Sequence, residues 1–131
     1  MSVFLKFRLL ILACLSFILS GCVTLPGHRQ TIDEDNFFLH ISAPNLAIKN
    51  EIRFNAEKTE LLFLPENAQI ELVVADTIGK HQLMMEKYQE SVVYNYRLNG
   101  RKMTFGNKEK EWFASQIPII IDKAGLKYGP G

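Results

Sequence analysis

The chain has 131 residues, is 47% hydrophobic and 22% charged, and carries a formal net charge of +1. That length allows one domain and hardly more, since a single core needs roughly 100–200 residues, and the apolar content excludes a disordered chain. Two Cys exclude a disulfide scaffold, and the lack of a basic excess argues against a nucleic-acid partner, whose phosphates need neutralising. In chain order, the first feature is a positive segment with Lys6 and Arg8, followed by an apolar run from Leu9 to Leu19. A spanning helix needs ~20 apolar residues, so this run is short for a permanent anchor. It suits the apolar region of a secretory signal peptide, which is ~7–15 residues long and ends in small residues.

The run ends in Leu19-Ser20-Gly21-Cys22. This resembles a bacterial lipobox, in which an aliphatic residue and two small residues precede Cys, and all four positions agree. Ser20 and Gly21 are small enough for an extended backbone to enter a peptidase. The Cys22 thiolate is the strong nucleophile that acylation requires. The resemblance implies cleavage between Gly21 and Cys22, a diacylglycerol thioether on Cys22, and fatty acylation (palmitate, for instance) of the freed amine. The alternatives are an uncleaved signal anchor, or a disulfide between Cys14 and Cys22, which cleavage would make impossible. Val23 is not the Asp that retains such lipoproteins in the inner membrane, so in a two-membraned bacterium the resemblance implies the outer membrane, facing the periplasm.

Removing residues 1–21 takes away Lys6 and Arg8, leaving thirteen basic against fourteen acidic side chains and a net charge of −1. No field steers the mature chain onto anionic lipid, so the acyl chains must hold it on the bilayer. Residues 22–35 read as a lipidated tether, with Pro26, Gly27, Gln30 and Thr31 ahead of the acidic run Asp33-Glu34-Asp35-Asn36. That run lacks the alternating spacing with which one loop wraps calcium.

Residues 36–131 read as a single α+β domain. Ile48, Asn50, Ile52 and Phe54 alternate with Lys49, Glu51 and Arg53, as a half-buried strand would. Leu61–Leu64 stops at the turn cluster Pro65-Glu66-Asn67, and Ile70, Leu72 and Val74 alternate again. Connections this short exclude helical crossovers, so the sheet should be antiparallel. Lys80–Met85 is open between strand and helical turn. Val92, Tyr94, Tyr96 and Leu98 then run into Asn99-Gly100, which suits a type I′ turn because both positions need φ > 0. That turn sets Leu98 opposite Arg101, Arg97 opposite Lys102, Tyr96 opposite Met103 and Tyr94 opposite Phe105, with an apolar face on one side.

The period then changes. Asn107 is placed as an N-cap. Trp112, Phe113, Ile117, Ile120, Ile121 and Ala124 make one broad apolar helix side, and Gly125 is placed as its stop, with Lys123 in the last turn. Pro118 predicts a kink or two short helices. Tyr128-Gly129-Pro130-Gly131 reads as a loose tail. A strand, Asn-Gly, a second strand, an acidic segment and a Trp-led helix with an internal Pro, over residues 91–125, resemble segments found outside the membrane in bacterial regulatory membrane peptidases of the BlaR type. The resemblance implies a sheet-plus-helix fold and carries no catalytic residue. The expected architecture is therefore an antiparallel β-meander of five or six strands covered by one C-terminal helix.

Chemistry is sparse. His28, His40 and His81 show no zinc spacing, so neither metal nor cofactor is expected. Ser42, Ser91 and Ser115 have no nucleophile setting, and the Glu109/Glu111 pair sits where a helix start favours negative charge. No catalytic residue is assigned. Trp112 and Phe113 are the candidate partner-binding residues, because adjacent helical residues do not both point at one sheet. The expectation is a non-enzymatic, membrane-anchored lipoprotein that binds the bilayer through acylated Cys22 and recognises an envelope protein. The alternatives are a small envelope-polymer enzyme or an inhibitor of an envelope-directed enzyme.

Overall fold

The computed structural model describes residues 27–130. In chain order the elements are β1 (His28–Glu34), β2 (Phe37–Ala43), the one-turn helix α1 (Leu46–Lys49), β3 (Arg53–Phe54), β4 (Leu61–Phe63), β5 (Gln69–Ala75), β6 (Lys80–Tyr88), β7 (Ser91–Leu98), β8 (Arg101–Met103), the helix α2 (Asn107–Ala124) and β9 (Lys127–Tyr128). Six strands form one sheet in the order β1-β2-β5-β6-β7-β8, antiparallel throughout, and β4-β3-β9 form a small second sheet. The protein is an α+β fold with one long C-terminal helix, as the periodicity anticipates.

The period-two pattern places one side of every long strand under α2. Ile32, Leu39, Leu72, Leu83 and Tyr96 form one cross-strand row, and Gln30, Ile41, Ile70, Met85 and Tyr94 the next. Leu39, Ile41, Ile70, Leu72, Leu83 and Met85 are fully buried there, packed with Phe113, Ile117, Ile120, Ile121 and Ala124 of the helix. Each large aliphatic side chain so buried contributes ~1.5–3 kcal/mol. Trp112 lies against β6 and β7, while Lys123 pairs with Glu34 of β1 at 2.8 Å, so α2 crosses the sheet from one side to the other.

The hairpin follows its turn chemistry. Asn99 and Gly100 have φ of 53° and 82°, and Leu98, Arg97 and Tyr96 pair with Arg101, Lys102 and Met103. β8 ends at Met103, so Tyr94 and Phe105 meet as stacked rings, 4.9 Å between centroids, and not as a ladder pair. Met103 itself is exposed, because β8 is the outermost strand of the sheet. Gly125 stops α2 in the left-handed region at φ 67°, with its N–H donating to the Ile121 carbonyl at 2.8 Å.

Several expectations are corrected. Residues 28–34 are not tether: they form β1, an edge strand paired along its length with β2, and the domain includes them. Its polar composition misleads because an edge strand needs few apolar side chains, and only Ile32 supplies one here. The alternation Ile48-Asn50-Ile52-Phe54 is not one strand. Asn45 caps α1 by accepting from the Ile48 N–H at 2.9 Å, and the strand begins at Arg53. The helix cap is Gly106, whose N–H donates to the Glu109 side chain at 2.7 Å; Asn107 is the first helical residue. Pro118 does not divide α2, since Ile117, Ile120 and Ile121 dock both halves on the same core. Lys127–Tyr128 is not tail but β9, parallel to β3, and the Gly129 N–H donates to the Phe54 carbonyl at 2.9 Å. Lys80–Met85 belongs to the longest strand, β6.

Candidate functional site

Gly21 and Cys22 lie outside the described residues. Trp112 and Phe113 do diverge as neighbouring helical residues must. Phe113 is buried in the core, edge-on to Tyr94 and Phe105 at 6.2 and 6.3 Å, and so offers no surface to a partner. Trp112 is half-buried and stacks on His81, with 4.4 Å between centroids and 20° between planes.

His81 is the centre of the site. It lies on the covered side of β6 with Leu83 and Met85, and only 3% of it is exposed. Its Nε2 is 2.9 Å from both carboxylate oxygens of Asp76, and its Nδ1 is 2.6 Å from the Tyr96 hydroxyl. With the ring neutral, Nε2–H donates to Asp76 and the Tyr96 O–H donates to Nδ1. A buried imidazole is tolerated on an apolar face only because both nitrogens are satisfied in this way.

Local turns hold these groups. The Asp76 carboxylate accepts from the N–H groups of Ile78 and Gly79 at 2.9 and 3.2 Å, which fixes the turn between β5 and β6. Gly79 has φ 150°, and a Cβ there would meet the Asn99 side chain at 2.5 Å. Asn99 in turn accepts from the Lys80 N–H at 2.9 Å and donates its own N–H to the Lys80 carbonyl. The two turns thus interlock beside His81. Burial pushes the Asp76 carboxyl upward, but hydrogen bonds from His81, Gly79 and Ile78 together outweigh it and hold the group below its ordinary value. Burial, with the charges of Glu109 and Asp76, raises the Tyr96 hydroxyl, so it keeps its proton at neutral pH.

Beside this cluster is a cleft of about 230 Å³, lined also by Ile78, Leu98, Lys108 and Glu109. Several acid–base groups in and beside it are engaged within the fold. Both His81 nitrogens have partners, Asp76 serves His81 and its own turn, and Glu109 accepts from Gly106. The arrangement orients rings and joins turns.

The larger concavity, about 540 Å³, lies on the opposite side of the sheet, which no other described element covers and where Phe38, Glu71, Val73 and Gln82 point. It is broad and open. Gln82 donates to Glu71 at 3.1 Å, and Thr31 bonds His40 at 2.7 Å. Among the described residues no group of His, Cys, Asp and Glu is placed to hold a metal, and no helix is long and apolar enough to cross a membrane.

Sequence spacing alone assigns His81 no role. Two signals mark it: a polar residue in register with Leu83 and Met85, and an Asp five positions earlier across a Gly-containing turn. Comparison with protein-family models, with curated proteins and with solved structures finds no match.

Proposed function

We propose that this chain is an envelope lipoprotein, held by acylated Cys22 on the periplasmic side of an outer membrane, whose domain is a non-catalytic binding or assembly module. The anchor rests on Leu19-Ser20-Gly21-Cys22 directly after a signal-length apolar run. Two or three acyl chains on one residue give stable attachment where a single chain gives marginal binding. One structural observation supports the binding role: among the described residues, the six-stranded sheet has a helix on one side and no covering layer on the other. That open side carries half-buried Phe38, Val73 and Met84 among polar groups, the mixed composition of a recognition surface. The engagement of Asp76, His81 and Glu109 within the fold favours this reading over an enzyme of envelope polymer.

The test has two parts. Wild-type cells fed labelled palmitate should label the protein, and Cys22→Ala should abolish the label and leave a longer precursor. An intact Met1 with an unmodified Cys22 in the mass spectrum would overturn the anchor. In-cell cross-linking from the open side, through a photoreactive residue replacing Val73, should capture one envelope protein. The same yield from a photoreactive residue at exposed Ile119 would remove the open side as the recognition surface.

A further inference from the structure

The strand pairings bring several distant segments to one end of the sheet. His28, the first residue of β1, pairs with Ala43, the last of β2; Ser42 pairs with Gln69, the first residue of β5; Gln69 pairs with Glu86 near the end of β6. This end carries an unusual set of exposed apolar side chains. Leu46 opens α1 three residues after Ala43 and is 52% exposed. Leu62 and Phe63 of β4, 53% and 42% exposed, lie just ahead of β5, and the Lys87 ammonium sits 5.1 Å over the Phe63 ring. Tyr88, the last residue of β6, is 66% exposed. Single exposed apolar residues are normal, but Phe63 and Tyr88 both lie beside Lys87, and Leu46 and Leu62 lie on the segments that adjoin this end, which together mark a surface that something covers. Ile78 is by contrast at the far end of β6, Met103 on the β8 edge and Ile119 on α2.

Chain connectivity names the cover. β1 enters the sheet at this same end, and Cys22 precedes Gly27 by only five residues, which span at most about 18 Å. If acyl chains on Cys22 lie in a bilayer, as proposed above, the end bearing His28 cannot be far from the headgroups. We infer that this end, through Leu46, Leu62, Phe63 and Tyr88, is a lipid-docking surface that seats the domain directly on the bilayer. The chemistry agrees. Leu and Phe partition into the headgroup–acyl boundary, to a depth of ~5–10 Å for interfacial segments. Tyr favours that level because its ring is apolar and its hydroxyl wet, and Lys87 can pack its stem on Phe63 and keep its ammonium in the headgroups. With the domain seated so, the strands rise from the membrane and the cleft beside His81 faces away from it, β6 alone being about 30 Å long.

The inference rests on the acyl anchor, and the experiment separates the two. The mature sequence has no Cys besides Cys22, so Leu62→Cys and Ile78→Cys each offer one thiol for an environment-sensitive nitrobenzoxadiazole label once Cys22 is acylated. Both positions are exposed, so neither variant disturbs the core. The full-length mature proteins, purified from membranes, are reconstituted into phosphatidylethanolamine–phosphatidylglycerol vesicles containing lipid with a nitroxide high on its acyl chain. Emission at position 62 should shift to the blue and be quenched about threefold more than at position 78, given the shallow depth expected. Equal quenching in protein whose mass shows an acylated Cys22 overturns the docking surface and leaves the anchor standing. A mass without acyl groups overturns both.

Discussion

His40 and His81 sit in neighbouring parts of one sheet but on opposite sides of it, and the fold treats them differently. His81, beneath α2, is enclosed by Asp76, Tyr96 and Trp112, with both nitrogens engaged. His40, on the open side, has one hydroxyl partner in Thr31 and a stacked neighbour in Phe38 at 6.5 Å. Where water is shut out, as at His81, a missing partner would leave a costly unsatisfied group, and both ring nitrogens have one. On the open side water supplies what the protein does not. The covered side thus carries stability and the open side is free to vary or to bind.

Single substitutions can break that contrast. The largest gap should come from paired aromatic truncations. Phe113→Ala should cost ~3–5 kcal/mol in denaturant unfolding, as for a fully buried ring, whereas Phe38→Ala should cost about 1 kcal/mol because only part of its area leaves water. Equal costs would mean that both sides of the sheet are covered in solution. Next come the histidines. His81→Ala leaves Asp76 and Tyr96 without their shared partner and should cost ~2–3 kcal/mol, while His40→Ala should stay within ~0.5 kcal/mol. A thermal melt of His81→Ala superimposable on wild type would remove the network as a stabilising unit.

The pH dependence sharpens the same point. Asp76 has a folded-state pKa held below its ordinary value, so its contribution is complete above about pH 4 and is lost as pH falls through the folded value. The stability difference between wild type and Asp76→Asn should therefore be constant near neutrality and shrink in acid; a difference that grows in acid would reverse the assignment. The smallest effect belongs to the open side. Gln82→Ala, which removes the partly buried hydrogen bond to Glu71 on the side that water reaches, should change stability by less than ~0.5 kcal/mol by the same melts.

How far these features were readable depends on the range of the forces behind them. The Asn99-Gly100 register and the Gly125 stop were legible because backbone sterics at one or two residues decide them. The apolar faces of β5 and α2 were legible because burial imposes its period on neighbouring residues. β1 and β9 were not. An edge strand has one paired side, and Arg29, Thr31 and Asp33 on its open face resemble a linker. The pairing of β9 with β3 joins segments far apart in the chain and leaves no local mark. Lys49 was misplaced for the same reason: it looked like the wet side of a strand, yet it is buried with its ammonium on the Ala124 carbonyl at 3.4 Å, where the C-terminal end of α2 favours a cation. Within the candidate site, Trp112 was legible as one of an adjacent aromatic pair. His81 was hidden because its value depends on Asp76, Tyr96 and Trp112 meeting in space.

The union of β3 with β9 also has a temporal meaning. It ties residues 53–54 to residues 127–128, and the Lys123–Glu34 pair bridges 89 positions. Contacts of such long range form late, on the millisecond-to-second scale typical of non-local topologies. A chain still emerging has its hairpins at hand but lacks α2 and β9, and hairpins alone are marginal in water. Until then the apolar faces of the long strands stand open, and the core closes only once the last helix and β9 are in place.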